Sequence, residues 1–231
     1  MTCYIIDTET TGLDKPQVIE LGWLLKAELN SHKSQDVFVQ RFRPSKDIEL
    51  GALATHHIRA HELQDCPDYD TARLPDDAEY IVGHNVDFDW KVLGQPNVKR
   101  ICTQAFARDL YPGLDSYRLG ALAYYFWPEL AGTWAKTAHG VHTDILVCEQ
   151  LLGQILTTLQ YKQVEVDSFE TLWKLCEHAR LPKVMTFGKH KGMPVAEVPK
   201  GYVDWYLKQA DPDPYLVKAF AASRQVKVRR W

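Results

Sequence analysis

The stretch Tyr4-Ile5-Ile6-Asp7-Thr8-Glu9-Thr10-Thr11-Gly12-Leu13 constrains this chain more than any other. It opens as a short apolar run, the pattern of a buried strand, and then places two carboxylates on alternate residues. Alternate strand residues point the same way, so Asp7 and Glu9 share one face. Two close carboxylates repel and are costly to bury unless a cation lies between them. A hard divalent ion such as Mg²⁺, which prefers oxygen ligands, is the natural guest. Thr10, Thr11 and Gly12 then supply hydroxyls, backbone N–H groups and a flexible glycine suited to close approach by a substrate backbone. The competing reading is a strand end with two solvated acids, and the rest of the chain decides between the two.

Two further acidic motifs follow. Gly83-His84-Asn85-Val86-Asp87-Phe88-Asp89 sits where a short strand, Tyr80-Ile81-Val82-Gly83, runs into a helix start over Asn85 to Leu93. Asp87 and Asp89 both compete to join an acidic cluster there. In a helix they are about 200° apart and cannot share a face. Either acid is also compatible with an ordinary helix start, which the helix dipole favours. The third motif, His139-Gly140-Val141-His142-Thr143-Asp144, opens an amphipathic helix from Asp144 to about Leu159, with Ile145, Cys148, Leu151, Leu152, Ile155 and Leu159 on one face. Asp144 at a helix start completes a carboxylate site, while Thr143 offers an N-cap. His139 and His142 are both placed to lean over the site as a general base.

The elements between these motifs predict a mixed α/β sheet. Strands are expected over Val18–Leu25 and Val37–Phe42, with a turn at 30–34, giving an antiparallel meander with the first strand. Residues 45–75 read as short helices and loops. A strand at Arg100–Cys102, a helix over 103–110 and a helix from Tyr117 to Phe126 that ends before Pro128 make up the alternating part. A boundary is expected at 163/164, with a first domain over 1–163 and, over 164–231, a connector helix (Phe169 to Ala179) and a small basic α+β module. That module opens with Thr186-Phe187-Gly188-Lys189-His190-Lys191-Gly192, two glycines around a basic turn that predict a hairpin, followed by helix bearing Tyr202, Trp205 and Tyr206.

Charge supports the division. The net charge of −3 hides ten Lys/Arg against four Asp/Glu over residues 181–231, a balance of +6, which leaves −9 on residues 1–180. An acidic body beside a basic end fits a metal site next to a polyanion-binding surface. With 45% hydrophobic residues in 231, the chain buries a sizeable core. The five cysteines are scattered and none forms a Cys-x-x-Cys, which argues against zinc and against a disulfide framework and fits reduced thiols in a cytoplasm. The N-terminus lacks the pattern of a signal peptide, and no apolar run approaches the roughly 20 residues of a membrane span.

Taken together, Asp7-Thr8-Glu9-Thr10-Thr11-Gly12-Leu13, His84-Asn85-Val86-Asp87-Phe88-Asp89, and His139 with Asp144 five residues on resemble the DnaQ-like 3′–5′ exonucleases of the DEDDh type. The resemblance implies an RNase H-like fold and hydrolysis that frees nucleoside 5′-monophosphates from a 3′ end. It implies Asp7, Glu9, Asp89 and Asp144 as ligands of two Mg²⁺ ions, with Mn²⁺ as a substitute, and His139 as base; Asp87 and His142 are then decoys. Thr10, Thr11, Gly12 and Leu13, with His84, Asn85 and Phe88, become substrate contacts, Leu13 as a wedge against the terminal base. The tyrosine variant of the family would place Tyr where Gly140 stands. The family usually has Ala two residues after the His, where this chain has Val141.

The expected partner is nucleic acid with a free 3′ end, DNA in the first place, and Lys189 and Lys191 are expected to track its phosphates. Three other readings are weighed against this one. An RNA-directed exonuclease of the same type is separated by matched substrates. A haloacid dehalogenase-like phosphatase, loosely suggested by Asp7-Thr8-Glu9-Thr10, lacks its downstream Lys and paired-Asp loop. A non-catalytic nucleic-acid-binding adaptor has no use for a costly acidic cluster.

Overall fold

The computed structural model describes residues 1–29, 36–135 and 140–228. They divide into two compact units, Met1–Cys176 and Glu177–Trp231. The first is built on a five-stranded sheet of order β3-β2-β1-β4-β5, with β1 Cys3–Thr10, β2 Val18–Leu25, β3 Phe38–Arg41, β4 Tyr80–Gly83 and β5 Lys99–Cys102. β1, β2 and β3 form the expected antiparallel meander, and β4 and β5 run parallel beside β1. The turn expected at 30–34 lies outside the described residues.

β1 is the central strand, buried on both faces through Cys3–Ile6, as its unbroken apolar run requires. The helices are α1 Leu50–His56, α2 Asp87–Val92, α3 Thr103–Leu110, α4 Leu119–Phe126, α5 Pro128–Trp134, α6 Val141–Tyr161 and α7 Phe169–Ala179. α6 lies against β1 and β2 and buries Ile145, Cys148, Leu151, Leu152, Ile155 and Leu159, the predicted stripe. Its approach depends on Gly22 of β2. A Cβ there would stand 2.8 Å from Ile145 Cδ1 and 3.0 Å from Val141 Cγ2. Val141, the residue that departs from the family's habitual Ala, therefore fills the space the glycine leaves.

Three boundaries differ from the sequence reading, each for a local reason. α6 begins at Val141, one turn before Asp144, because Gly140 serves as N-cap with its backbone alone and Thr143 lies inside the first turn. Pro128 starts α5 as well as following α4, since a proline at the first helical position sacrifices no hydrogen bond. The first two turns of α7 belong with the sheet: the Phe169 ring lies 5.9 Å from that of Tyr80, and Cys176 Sγ accepts the Cys102 N–H at 3.1 Å.

The second unit closes α8 Lys200–Tyr206 and α9 Pro214–Val228 around Met185, Val195, Val198, Val203, Tyr206, Leu216 and Phe220. The hairpin expected at Thr186–Gly192 reduces to one antiparallel bridge, Val184 with Pro194. Gly188 and Gly192 both take positive φ, +67° and +85°, and consecutive turns (Lys191 N–H to Gly188 O, Met193 N–H to His190 O) fill the loop where strands would have extended. No helix among the described residues is long and apolar enough to cross a membrane.

Candidate active site

The strand period does what the sequence predicts: Asp7 and Glu9 leave β1 on the same face, toward the start of α6. There Val141 and Ile145 hold the helix on the sheet, and Asp144, one turn after Val141, turns the same way. One carboxylate oxygen from each of Asp7, Glu9 and Asp144 lies within 4.8 Å of the others. His142 stands about 200° around the helix from Asp144 and is exposed. His139 lies outside the described residues.

Asp89 comes to the site from α2 and is held differently. It is buried, and the Thr8 hydroxyl donates to its Oδ1 at 2.6 Å from the opposite face of β1. It is not one of the three acids whose oxygens converge, but it is the neighbouring charge that most perturbs Asp7. Asp87 points away and is tied to Arg100 at 2.5 Å, whose guanidinium lies over the Trp90 ring. The two acids of this motif thus part company as helical geometry demands.

The electrostatics follow from crowding. Burial first, then Asp89, Asp144 and Glu9, hold the Asp7 carboxyl well above the usual carboxylate range. Burial, then Asp144, Glu20 and Asp89, push Glu9 up to about 8. Asp89 is raised by burial to about 6, the Thr8 hydrogen bond acting against the rise. Among the described residues no Lys or Arg forms an ion pair with Asp7, Glu9 or Asp89. A donor set of clustered carboxylate oxygens, strained by its own repulsion, fits a hard divalent cation.

Beyond Glu9 the strand is bulged. Glu9 pairs with Glu20 but Thr10 pairs with Val18, a shift of the kind that re-aims a strand end. Thr10 and Thr11 are buried, their hydroxyls bonded to Gly12 O and Gln17 N–H, so what they can offer a substrate is backbone. Leu13 is 83% exposed.

Three residues the sequence did not single out shape this loop. Glu49 accepts the N–H groups of Leu13 and Asp14 at 3.3 and 3.4 Å. Its carboxyl carbon lies 2.0 Å from where a Cβ on Gly12 would stand, so only glycine, here at φ +149°, admits it. Glu20, a further buried acid opposite Glu9, is neutralised by Arg41 at 2.8 Å. Thr8 is the clamp on Asp89. All three lie on the far side of a chain reversal from, or on the opposite strand face to, the motifs they serve, and a linear pattern carries no signal for them.

Of the second motif's expected contacts, Asn85 is exposed in the left-handed region at φ +68°, which turns the chain from β4 into α2. Phe88 is partly exposed. His84 is otherwise engaged: Nε2 donates to Tyr117 O at 2.8 Å and Nδ1 meets the Thr103 hydroxyl at 3.0 Å. Burial pushes its imidazole down to about 4, so it is a neutral brace whose two nitrogens are not offered to a ligand. In the second unit Lys189 and Lys191 are exposed in the basic turn.

Known proteins resemble the chain in two overlapping ways. Exodeoxyribonuclease 10 of Escherichia coli (strain K12) is 28% identical over 217 residues, covering 90% of this chain and 91% of that protein. The DNA polymerase III subunit epsilon of Rickettsia typhi is 30% identical over 161 residues, 61% of this chain and 67% of that one. Among solved structures, Exonuclease X in complex with 5′ overhanging duplex DNA superposes with a TM-score of 0.54 at 24% identity, over 75% of this chain and 99% of the other. E. coli Exonuclease I with a dT13 oligonucleotide gives 0.55 at 17%, over 70% and 42%. A family described as "Putative quorum-sensing-regulated virulence factor" matches residues 170–229, the connector helix and end unit alone.

Proposed function

Because the chain belongs to the DnaQ-like exonucleases, we propose that it removes nucleotides one at a time from the 3′ end of DNA, releasing nucleoside 5′-monophosphates. The observation that carries this reading is the convergence of Asp7, Glu9 and Asp144, from two separate elements, to within 4.8 Å at the end of the central strand. In this reading Asp7, Glu9 and Asp144, with Asp89 directly or through water, hold two Mg²⁺ ions, for which Mn²⁺ substitutes. Bound there, such ions neutralise the carboxylates, lower the pKa of a water and stabilise the departing oxyanion.

The chain's own residues do the rest. Thr8 fixes the Asp89 carboxylate, and Glu49 with Gly12 fixes the backbone of the 10–13 loop, which lines up the terminal nucleotide by main-chain contacts. Leu13, exposed beside them, wedges against the terminal base, and Asn85 and Phe88 flank the strand. His139 takes the proton of the attacking water as oxygen adds to phosphorus and the bond to the 3′ oxygen breaks. His84 serves by holding β4 and the loop before α4 in place rather than by touching substrate. Lys189 and Lys191 contribute phosphate contacts.

The test is digestion of 3′- and 5′-end-labelled DNA and RNA, single- and double-stranded, with and without Mg²⁺. Stepwise shortening of 5′-labelled DNA and early release of the 3′ label as a mononucleotide are expected, and both vanish in chelator. Equal or faster digestion of RNA would move the substrate assignment to RNA. Tight DNA binding with no release under any divalent ion would make the chain an adaptor.

A further inference from the structure

The end unit bears a row of three rings at the rim of its core. His190 meets Tyr202 edge-on at 4.6 Å between centroids, and Tyr202 leans on Trp205 at 5.2 Å. Tyr202 and Trp205 are three apart on α8 and so are neighbours on its surface; Tyr202 packs against the core that Val203 and Tyr206 enter, while Trp205 lies beyond its edge. The basic turn rests on this row at Gly188. A Cβ there would lie 2.8 Å from the Tyr202 hydroxyl, and its φ of +67° suits glycine.

Trp205 is nevertheless 54% exposed, with Phe187 43% exposed in the same turn. A large aromatic surface left in water is unfavourable unless something covers it. Lys189 and Lys191 flank His190 and are exposed, and among the described residues neither forms an ion pair. Rings with open faces beside unneutralised cations, in a segment carrying +6, complement a polyanion that has flat apolar groups of its own.

We propose that His190, Tyr202 and Trp205, with Lys189 and Lys191, form a single-strand nucleic-acid ledge: bases stack on the Trp205–Tyr202 edge while the lysines take the phosphates. The ledge belongs to the end unit alone and shares no residue with the carboxylate site. It rests on the exonuclease reading only for the choice of nucleic acid as the polyanion. Ring stacking reads no hydrogen-bond pattern, so the ledge accepts any base sequence.

The experiment uses the full chain in chelator, where nothing is cleaved, and measures by fluorescence anisotropy the affinity for oligo(dT) and for an abasic phosphodiester chain of equal length. Trp205→Ala should weaken oligo(dT) binding roughly 5- to 100-fold and leave the abasic chain unaffected; Trp205→Phe should restore most of the loss. Cross-linking of wild-type protein to iodouracil-substituted oligonucleotide should label the 186–206 segment, a readout that does not depend on any variant folding. Unchanged oligo(dT) affinity in a folded Trp205→Ala protein, or cross-links confined to residues before 177, overturns the ledge and leaves the rings to a protein partner. Absence of 3′ digestion by wild type in Mg²⁺ would sink the exonuclease reading instead, and would leave these affinities standing.

Discussion

The carboxylate site and the basic turn hold opposite charges, and they hold them by opposite means. Asp7, Glu9, Asp89 and Asp144 come from β1, α2 and α6, over more than half the chain, and the fold forces them together where burial raises three of them. Lys189 and Lys191 are neighbours in sequence, stand in water and strain nothing. A buried like-charged cluster works against folding, so its presence points to a guest that relieves it. An exposed basic turn costs the fold nothing, so by itself it says little about a ligand. The acids are evidence by their cost, and the lysines become evidence only through the rings beside them.

The largest effect that could break this contrast is in Asp7. Asp7→Ala should lower Mg²⁺-dependent cleavage by roughly 10³-fold or more, while Tm in chelator stays level or rises because a repelling buried acid is gone. Activity and thermal melts on one preparation check both halves. Retained cleavage, or a collapse in Tm, would mean that Asp7 holds the sheet together rather than a cation.

Next in size is the base. His139→Ala should lose roughly 10²–10⁴-fold in kcat, with metal affinity preserved by calorimetry. His142→Ala should stay within a few-fold of wild type, since His142 is exposed on the side of α6 away from Asp144. If His142→Ala is the crippled protein, the five-residue spacing from His139 to Asp144 has pointed to the wrong ring.

The placement of Asp7 beside Glu9, and of Asp87 apart from Asp89, was legible because it rests on local periods. Strand alternation fixes Asp7 and Glu9 on one face, and the 100° helical step separates Asp87, paired with Arg100, from Asp89, clamped by Thr8. The meander, the buried stripe of α6 and the connector helix were legible for the same reason. Glu49 beneath Gly12, Thr8 behind Asp89 and the Gly22–Val141 fit were not, because each joins residues across the fold and no spacing encodes them. The start of α6 escaped because its cap is backbone only, and the end-unit hairpin because two positive-φ glycines coil a loop whose composition suits a ladder equally well.

A third prediction separates the two regions by acid. His84 is neutral in the fold, its pKa lowered from 6.5 to about 4 by burial, while His178 and His190 of the end unit reach water. Between those values the unfolded chain binds a proton that the folded one refuses. Stability from His84 is therefore complete above about pH 6.5 and drains away as pH falls toward 4, by about 3 kcal/mol in all. Glu9 and Asp89, whose carboxyls burial raises, gain stability across the same window and oppose this loss, so the measurement is a difference. In urea melts the stability of wild type relative to His84→Gln should decline as pH falls from 6.5 to 4, with His56, lowered by burial as well, common to both proteins. A difference that stays constant with pH would mean that the imidazole is already charged in the fold and that the Thr103 and Tyr117 contacts are made differently.

The smallest effect tests the turn. Replacing Lys189 and Lys191 together by Gln removes two exposed charges that pair with nothing among the described residues, so neither Tm nor kcat has reason to change. If each lysine displaces one counterion from a single strand, the slope of log KM against log salt should fall by about 1.4, at about 0.7 per phosphate neutralised. KM should rise several-fold at low salt and converge on wild type as salt increases, because screening removes from wild type what the variant already lacks. A fall in kcat would instead carry the turn into the chemistry and erase its contrast with the carboxylates. A parallel KM at every salt concentration would leave the +6 of this segment a matter of solubility, with Trp205 the only part of the end unit that touches the strand.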